Sequence, residues 1–214
     1  CSLGANTTGF YNTGLGKESL KNNTTGRDNT SSGWSSLFNN TIGENNTGLG
    51  SVSLYANTEG NANTSVGQRS MSNNTTGSSN SAIGQTALCS NTTGSCNVAM
   101  GRQALSSNTT ANNNTAVGYQ SLCTNTTGDR HVAIGTCALA SNTVGCRNIA
   151  IGYNALQDNV DGDFNVGIGY ASLANTTVND NTGLGYLSLL TNTTGGGNTA
   201  LGSQALALNT TASN

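Results

Sequence analysis

The stretch Asn114-Thr115-Ala116-Val117-Gly118-Tyr119-Gln120-Ser121-Leu122 decides the fold, because its pattern returns every 17 residues along the chain. Further copies begin at Asn12, Asn29, Asn46, Asn63, Asn80, Asn97, His131, Asn148 and Asn165. One residue is dropped after Ala174, and copies resume at Asn181 and Asn198. The pattern predicts a single repeat array over residues 1–214, in which 1–11 are a partial coil and 12–214 form twelve coils.

Several positions of the repeat are constant or nearly constant; the first Asn of each copy is position 1. Position 5 is glycine in all twelve copies, position 9 is leucine except at Met71, and position 12 aligns on asparagine throughout. Position 4 is aliphatic or Met except at Ser32, and positions 3 and 8 hold only small residues. A position that stays constant in every copy is expected to occupy the same demanding environment in each coil.

Period and composition together predict the fold class. Seventeen residues are too few for a helical-hairpin repeat, and Asn, Thr, Gly and Ser, which are poor helix formers, make up 119 of the 214 residues. We therefore predict an all-β parallel β-solenoid, or β-roll, of about twelve 17-residue coils. Each coil should hold two short strands, at positions 1–4 and 7–10, and identical residues should stack at about 4.8 Å.

Positions 4 and 9 carry the large apolar residues and are predicted to form the core. Small residues stand beside them at positions 3 and 8. Because neighbouring residues of a strand point to opposite faces, the choice of residue type is restricted on both faces of each strand. This double restriction favours burial of the second face against another chain; the alternative is a sharply curved, narrow coil that needs small residues outside its corners. The core candidates are Leu88, Leu105, Leu122, Leu139, Ile134 and Ile151.

The position-12 asparagines begin Asn-Thr-Thr turns and have two interpretations. Stacked in register, their amides can bond to one another in a ladder; each is also an Asn-x-Ser/Thr glycosylation acceptor. An asparagine inside a ladder cannot also carry a sugar, so the structural role is favoured. These ladder or glycosylation candidates are Asn6, Asn23, Asn74, Asn91, Asn108, Asn125, Asn175, Asn192 and Asn209.

The six cysteines are disulfide candidates in an oxidising, extracellular setting. Cys89 and Cys96 flank one Asn-Thr-Thr-Gly turn, and Cys137 and Cys146 flank a related turn three copies later. Each pair could close its turn, and free buried thiols are the alternative. Cys123 and Cys1 then remain, and Cys1 could cross-link to a neighbouring subunit.

The composition argues against most kinds of chemistry. With one histidine, His131, and no Cys-x-x-Cys, neither a metal site nor a catalytic pair is predicted. No cofactor is expected, and an enzyme is not predicted. Asp158, Asp161 and Asp163 form the only acidic cluster, better explained as a solvated turn than as a calcium site. A net charge of −2 and short apolar runs give no basis for a nucleic-acid partner or a membrane span.

Position 6 holds five of the ten aromatic residues of the chain and predicts an exposed aromatic row. Such a row could stack against sugars or against another fibre, or could consist of protruding corner residues with no partner. An ice-binding surface is disfavoured, because the threonines of the turns are adjacent rather than in a Thr-x-Thr spacing. The row consists of Trp34, Tyr119, Tyr153, Tyr170 and Tyr186.

The segments His131-Val132-Ala133-Ile134-Gly135 and Asn148-Ile149-Ala150-Ile151-Gly152 resemble the head repeats of trimeric autotransporter adhesins. Similar repeats occur in phage tail-fibre-type surface proteins. The resemblance implies a left-handed parallel β-roll in a threefold bundle, although the 17-residue period is longer than that of the adhesin heads.

These features predict a structural subunit of an extracellular fibre or filament, located outside the cell or on a cell or virion surface. Neither end of the array carries a polar cap, which repeat proteins need for solubility, so head-to-tail stacking, a trimer, or both are expected. The alternative is an adhesin or phage-fibre module that recognises surface glycans through the aromatic row.

Overall fold

The computed structural model describes residues 1–213, and Asn214, the last residue of the predicted array, lies outside them. The chain divides into two compact units, Cys1–Ala111 and Asn112–Asn214, which are described separately. In each unit, short strands stack in parallel and in chain order, with no helix among residues 1–213. This architecture confirms the predicted all-β solenoid. None of the described elements is a helix able to cross a membrane.

Each complete coil has one three-residue strand, at repeat positions 2–4. The first unit holds β1 (Thr13–Leu15), β2 (Thr30–Ser32), β3 (Thr47–Leu49), β4 (Thr64–Val66), β5 (Ser81–Ile83) and β6 (Val98–Met100). The second holds β7 (Thr115–Val117), β8 (Val132–Ile134), β9 (Ile149–Ile151), β10 (Val166–Ile168), β11 (Thr182–Leu184) and β12 (Thr199–Leu201). Equivalent positions pair directly, as Val132 does with Ile149, so the sequence repeat is also the hydrogen-bonding register.

The second predicted strand, at positions 7–10, is absent from the coils. Positions 7 and 9 are left-handed, as at Thr86 with φ 55° and Leu88 with φ 51°. The Thr86 N–H donates to the Gln68 carbonyl of the preceding coil, and the Leu88 N–H donates to the Ala104 carbonyl of the following coil, both at 3.0 Å. The backbone therefore bonds in both directions along the stack, which offsets the roughly 1–2 kcal/mol that each left-handed residue costs.

The core is built from position 9, as predicted. Leu88, Leu105, Leu122 and Leu139 have no exposed surface. The assignment of Ile134 and Ile151 to the core is wrong: Ile134 is 39% exposed and Ile151 is half-buried. In a three-residue strand the middle side chain points opposite to its neighbours, and here the middle residue, Ala133 or Ala150, is the one that faces inward.

The small-then-large pair at positions 8 and 9 has an explanation within the coil. Ala87 and Leu88 are adjacent, yet both are fully buried, because the left-handed residues break the two-residue alternation of an extended strand. Both residues of this pair therefore face the interior of one coil, which matches neither burial against a second chain nor small residues on the outside of a curved coil. The aliphatic row at position 4, in contrast, faces outward and has no covering element within its own coil.

Two glycine positions make the coil geometry feasible. Gly84, at position 5, has φ +137°, and a Cβ there would lie 2.5 Å from the Gly101 carbonyl oxygen of the next coil. Gly26, at position 15, is not left-handed, but a Cβ would lie 2.5 Å from the side-chain oxygen of Asn23. Position 5 thus requires glycine for its backbone angle and position 15 for close approach to the asparagine row.

Candidate functional site: asparagine ladders and an exposed sheet face

The position-12 asparagines form the predicted ladder. Asn74 donates from Nδ2 to Asn57 Oδ1 at 2.8 Å, and Asn91 Nδ2 donates to Asn74 Oδ1 at 2.7 Å. The same Asn91 amide also donates to the Gly94 carbonyl at 2.9 Å, across its own turn. Each side chain therefore closes one turn and joins two coils, which explains why asparagine recurs at this position.

Burial separates the ladder interpretation from the glycosylation interpretation. A folded chain offers no access to a side chain with no exposed surface, so the ladder role holds for the buried members. Asn6 accepts from Asn23 Nδ2 at 2.8 Å, and Asn209 donates to Asn192 Oδ1 at 3.0 Å, but Asn6 is exposed and Asn209 only half-buried. The fully buried candidates are Asn23, Asn74, Asn91, Asn108, Asn125 and Asn192.

Asn175 does not belong to the ladder, which corrects the sequence alignment. Thr176 takes position 12 instead: its N–H donates to the Leu173 carbonyl at 3.1 Å, as the Asn159 N–H does to Leu156 at 3.2 Å. Asn175 is half-buried at position 11. The missing residue therefore falls inside the turn, after Thr177, and not directly after Ala174.

Thr176 interrupts the ladder between coils. Its hydroxyl donates to the Asn192 carbonyl at 3.0 Å and offers nothing to Asn159. Asn159 Oδ1 is consequently a buried polar atom with no hydrogen-bond partner in residues 1–213. An unsatisfied buried acceptor costs about 1–3 kcal/mol, so this coil is a weak point of the second unit.

A second asparagine ladder runs along position 1 and was not predicted. Asn63 Oδ1 accepts from the backbone N–H of Asn80 at 3.0 Å, and Asn80 Nδ2 donates to the Gly94 carbonyl at 2.9 Å. The signal in the sequence was the recurrence of Asn at position 1 in every copy but one. This row ties the start of each strand to the Asn-Thr-Thr-Gly turn of the same coil.

His131 replaces asparagine in this second ladder and is buried. Its Nε2 lies 2.6 Å from the Gly145 carbonyl oxygen, and its Nδ1 accepts from the Asn148 N–H at 3.2 Å. These contacts assign the proton to Nε2 of a neutral ring. Burial lowers the pKa of His131 to about 4, against the opposing effects of these hydrogen bonds and of the Asp129 and Asp163 carboxylates. The side chain therefore serves as a ladder member.

The position-6 aromatic residues are exposed, as predicted. In the second unit, Tyr153 stacks on Tyr170 with ring centroids 5.2 Å apart, and Tyr170 stacks on Tyr186 at 5.5 Å. Tyr119 and, in the first unit, Trp34 are also exposed. A second stack was missed: Phe38 and Tyr55, both at position 10, lie 5.2 Å apart. Aromatic residues in the same position of adjacent copies were its signal.

The structure of residues 1–213 contains neither of the predicted intrachain disulfides. None of Cys1, Cys89, Cys96, Cys123, Cys137 and Cys146 is in a disulfide. Cys89 Sγ donates to the Ser106 carbonyl at 3.3 Å, on the next coil. The Asn91 side chain already closes the turn between Cys89 and Cys96, so this turn does not require a disulfide. Burial raises the pKa of the Cys123 thiol, with nearby Cys137 acting in the same direction.

The acidic cluster is dispersed over the surface of the second unit. Asp161 and Asp180 line a shallow pocket of about 440 Å³, while Asp163 Oδ1 accepts from the Cys146 N–H at 2.6 Å. Asp158 is exposed. Among residues 1–213, no three Asp, Glu, His or Cys side chains lie together in a way that could hold a metal ion.

Comparison with known proteins found no matching family model, no matching curated protein and no matching solved structure. Function is therefore inferred from the residues and their geometry. Two features stand out: the complementarity of successive coils, and the outward face of the strands.

Proposed function

We propose that this protein is a structural subunit of an extracellular fibre or filament, in which copies stack head to tail through the open faces of their coils. The observation that carries the proposal is that successive coils are complementary to one another. Asn91 Nδ2 donates to Asn74 Oδ1 at 2.7 Å, and the Leu88 N–H donates to the Ala104 carbonyl at 3.0 Å, in a pattern that recurs from coil to coil. A coil of a second copy therefore offers the same groups that a coil of this chain already binds.

Contact between coils combines backbone hydrogen bonds with an apolar interior. The Leu189 N–H donates to the Ala205 carbonyl at 3.0 Å, and the Leu189 side chain is fully buried. Strand edges of this kind readily take up another chain.

A single charge in the leucine row tests the proposal. We expect the wild-type protein to form filaments of uniform width by electron microscopy, and Leu206→Asp to remain in short species, because the row would then hold a carboxylate where coils contact one another. Ser203→Asp is the matched control, since Ser203 is exposed on the same coil but stands at position 6, away from the core. Wild-type protein that stays monomeric by light scattering at millimolar concentration would refute head-to-tail stacking.

The remaining parts of the proposal follow from composition. Low charge and a surface rich in Asn and Thr suit an extracellular or cell- or virion-surface location, consistent with the resemblance to adhesin heads and phage fibres. We propose a non-enzymatic role, because the one histidine of the chain has both ring nitrogens engaged by the ladder.

A second candidate function, glycan recognition by an adhesin-like module, is favoured by the stacked tyrosines. Sugars bind exposed aromatic faces, and Tyr153, which stacks on Tyr170 and has Thr136 at the same position of the preceding coil, is 48% exposed. On a glycan array, Tyr153→Ala should abolish binding, and Gln85→Ala, at the same position of a coil in the first unit, should preserve it. Equal binding by both variants, or none by the wild type, would remove this candidate.

A further inference from the structure

The outward face of β7–β12 is an uncharged, largely aliphatic surface. In the central strands β8, β9 and β10, every outward residue is Val or Ile: Val132, Ile134, Ile149, Ile151, Val166 and Ile168. None of them is buried, and Ile134 is 39% exposed. A sheet face that meets water normally presents polar residues on that side.

Charge is segregated away from this face. All charged side chains of the second unit stand at repeat positions 11–17, on the turn side of the coils, and positions 1–10 carry none. The seven residues are Asp129, Arg130, Arg147, Asp158, Asp161, Asp163 and Asp180. Exposed apolar patches larger than a few hundred Å² mark interaction sites, so both composition and position identify this face as an interface.

We propose that this face binds the same face of a second copy, side by side, in a twofold arrangement. The surface consists of ridges repeated at about 4.8 Å, and only a partner with the same spacing can interlock with every ridge. A second copy has the same spacing because it has the same sequence. Two copies of an uncharged face can also contact each other without electrostatic repulsion. Two such sheets would pack about 10 Å apart with interdigitated Val and Ile side chains.

The area of the outward face determines how strongly two copies can associate. Six coils and a strip roughly 15 Å wide give about 400 Å² per partner, below the roughly 800 Å² per partner of stable complexes. Strands β1–β6 of the first unit carry their own apolar row at position 4, interrupted by Ser32, in which Leu49 is 37%, Ile83 40% and Met100 40% exposed. In a filament, each added subunit brings further pairing surface, so lateral association strengthens with length. This last step rests on the proposed head-to-tail stacking.

A charge substitution in the middle of the face tests the pairing. Ile151→Lys should halve the mass per unit length of the filaments measured by scanning transmission electron microscopy, while axial growth continues. Val144→Lys is the matched control: Val144 is 52% exposed but stands on the turn side, so its filaments should match the wild type. Circular dichroism of both variants establishes that they are folded.

The outcomes separate lateral pairing from axial stacking. Wild-type filaments with the mass per length of one chain, or of three chains, would overturn the twofold pairing and leave axial stacking intact. If no filaments form, axial stacking fails, and sedimentation equilibrium still tests pairing through a species of twice the 21.5 kDa chain mass that Ile151→Lys abolishes. A protein that stays monomeric, or that instead sediments with phosphatidylcholine vesicles, overturns the pairing.

Discussion

Removing one member of the position-12 ladder should destabilise the protein far more than removing its sequence neighbour. Asn74 makes three side-chain hydrogen bonds: to Asn57 Oδ1 at 2.8 Å, to the Gly77 carbonyl at 2.9 Å, and from Asn91 Nδ2 at 2.7 Å. Asn74→Ala removes all three. Because Gly77 also accepts from Asn63 Nδ2 at 2.8 Å, the groups left without a partner are Asn57 Oδ1 and one Asn91 N–H.

The magnitude follows from these two orphaned groups. At about 1–3 kcal/mol for each buried unsatisfied group, Asn74→Ala should lower the free energy of unfolding by about 4 kcal/mol. Asn73→Ala is the matched control, since Asn73 is exposed and its backbone N–H, which donates to the Cys89 carbonyl at 3.1 Å, is retained. Its effect should stay within about 0.5 kcal/mol.

Urea unfolding followed by circular dichroism measures both variants, and native-state hydrogen exchange shows whether the loss is centred on the coils that contain Asn57, Asn74 and Asn91. If the two variants unfold within 1 kcal/mol of each other, by the linear-extrapolation method, the ladder does not carry the stability assigned to it.

Three further predictions address the second ladder, its interruption and the glycine corner. Burial lowers the pKa of His131 from 6.5 to about 4, so as the pH falls this residue is protonated in the unfolded chain before it is protonated in the folded chain. The free energy of unfolding should therefore lose nothing to this residue above pH 6.5 and fall by about 3 kcal/mol as the pH drops toward 4. Urea midpoints across this range should show that loss in the wild type and not in His131→Asn. Thr176→Asn supplies a donor to Asn159 Oδ1 and should raise the thermal midpoint, corresponding to about 1–2 kcal/mol; an unchanged or lower midpoint would mean that the shortened turn cannot place the amide. Gly84→Ala should destabilise by at least about 2 kcal/mol, given its φ and the Gly101 contact, whereas Gly196→Ala, where a Cβ meets only the Asn179 carbonyl at 3.4 Å, should be nearly neutral in the same urea assay.

Periodicity alone was sufficient to predict the coil and its most constrained rows. Leu122 and Asn91 stand at positions where one residue type recurs, and the structure places them in the core and in the ladder. The physical reason is that stacked coils repeat their environment, so any residue suited to the interior of one coil is suited to all. The outer aromatic row at Tyr153 and Tyr170 followed from the same register.

The interruption of the ladder could not be predicted from the sequence. Aligning Asn175 with the other asparagines keeps the residue type constant, but hydrogen bonding places Thr176 in the row. The buried position is taken by the residue whose backbone N–H reaches the Leu173 carbonyl, and the shorter turn that follows accommodates the missing residue. Residue identity gave the wrong alignment there because backbone position, rather than side-chain preference, is fixed by the neighbouring coils.

The sequence by itself determined the 17-residue coil, its parallel stacking, the leucine core and the asparagine row, since each depends only on what recurs. The tertiary structure alone decided which face each row occupies. Left-handed residues such as Thr86 and Leu88 break the two-residue alternation, turning Ala87 and Leu88 inward together and leaving Ile134 and Ile151 outside. Side-chain direction follows backbone angles, and those angles are set by hydrogen bonds between coils that no single repeat contains.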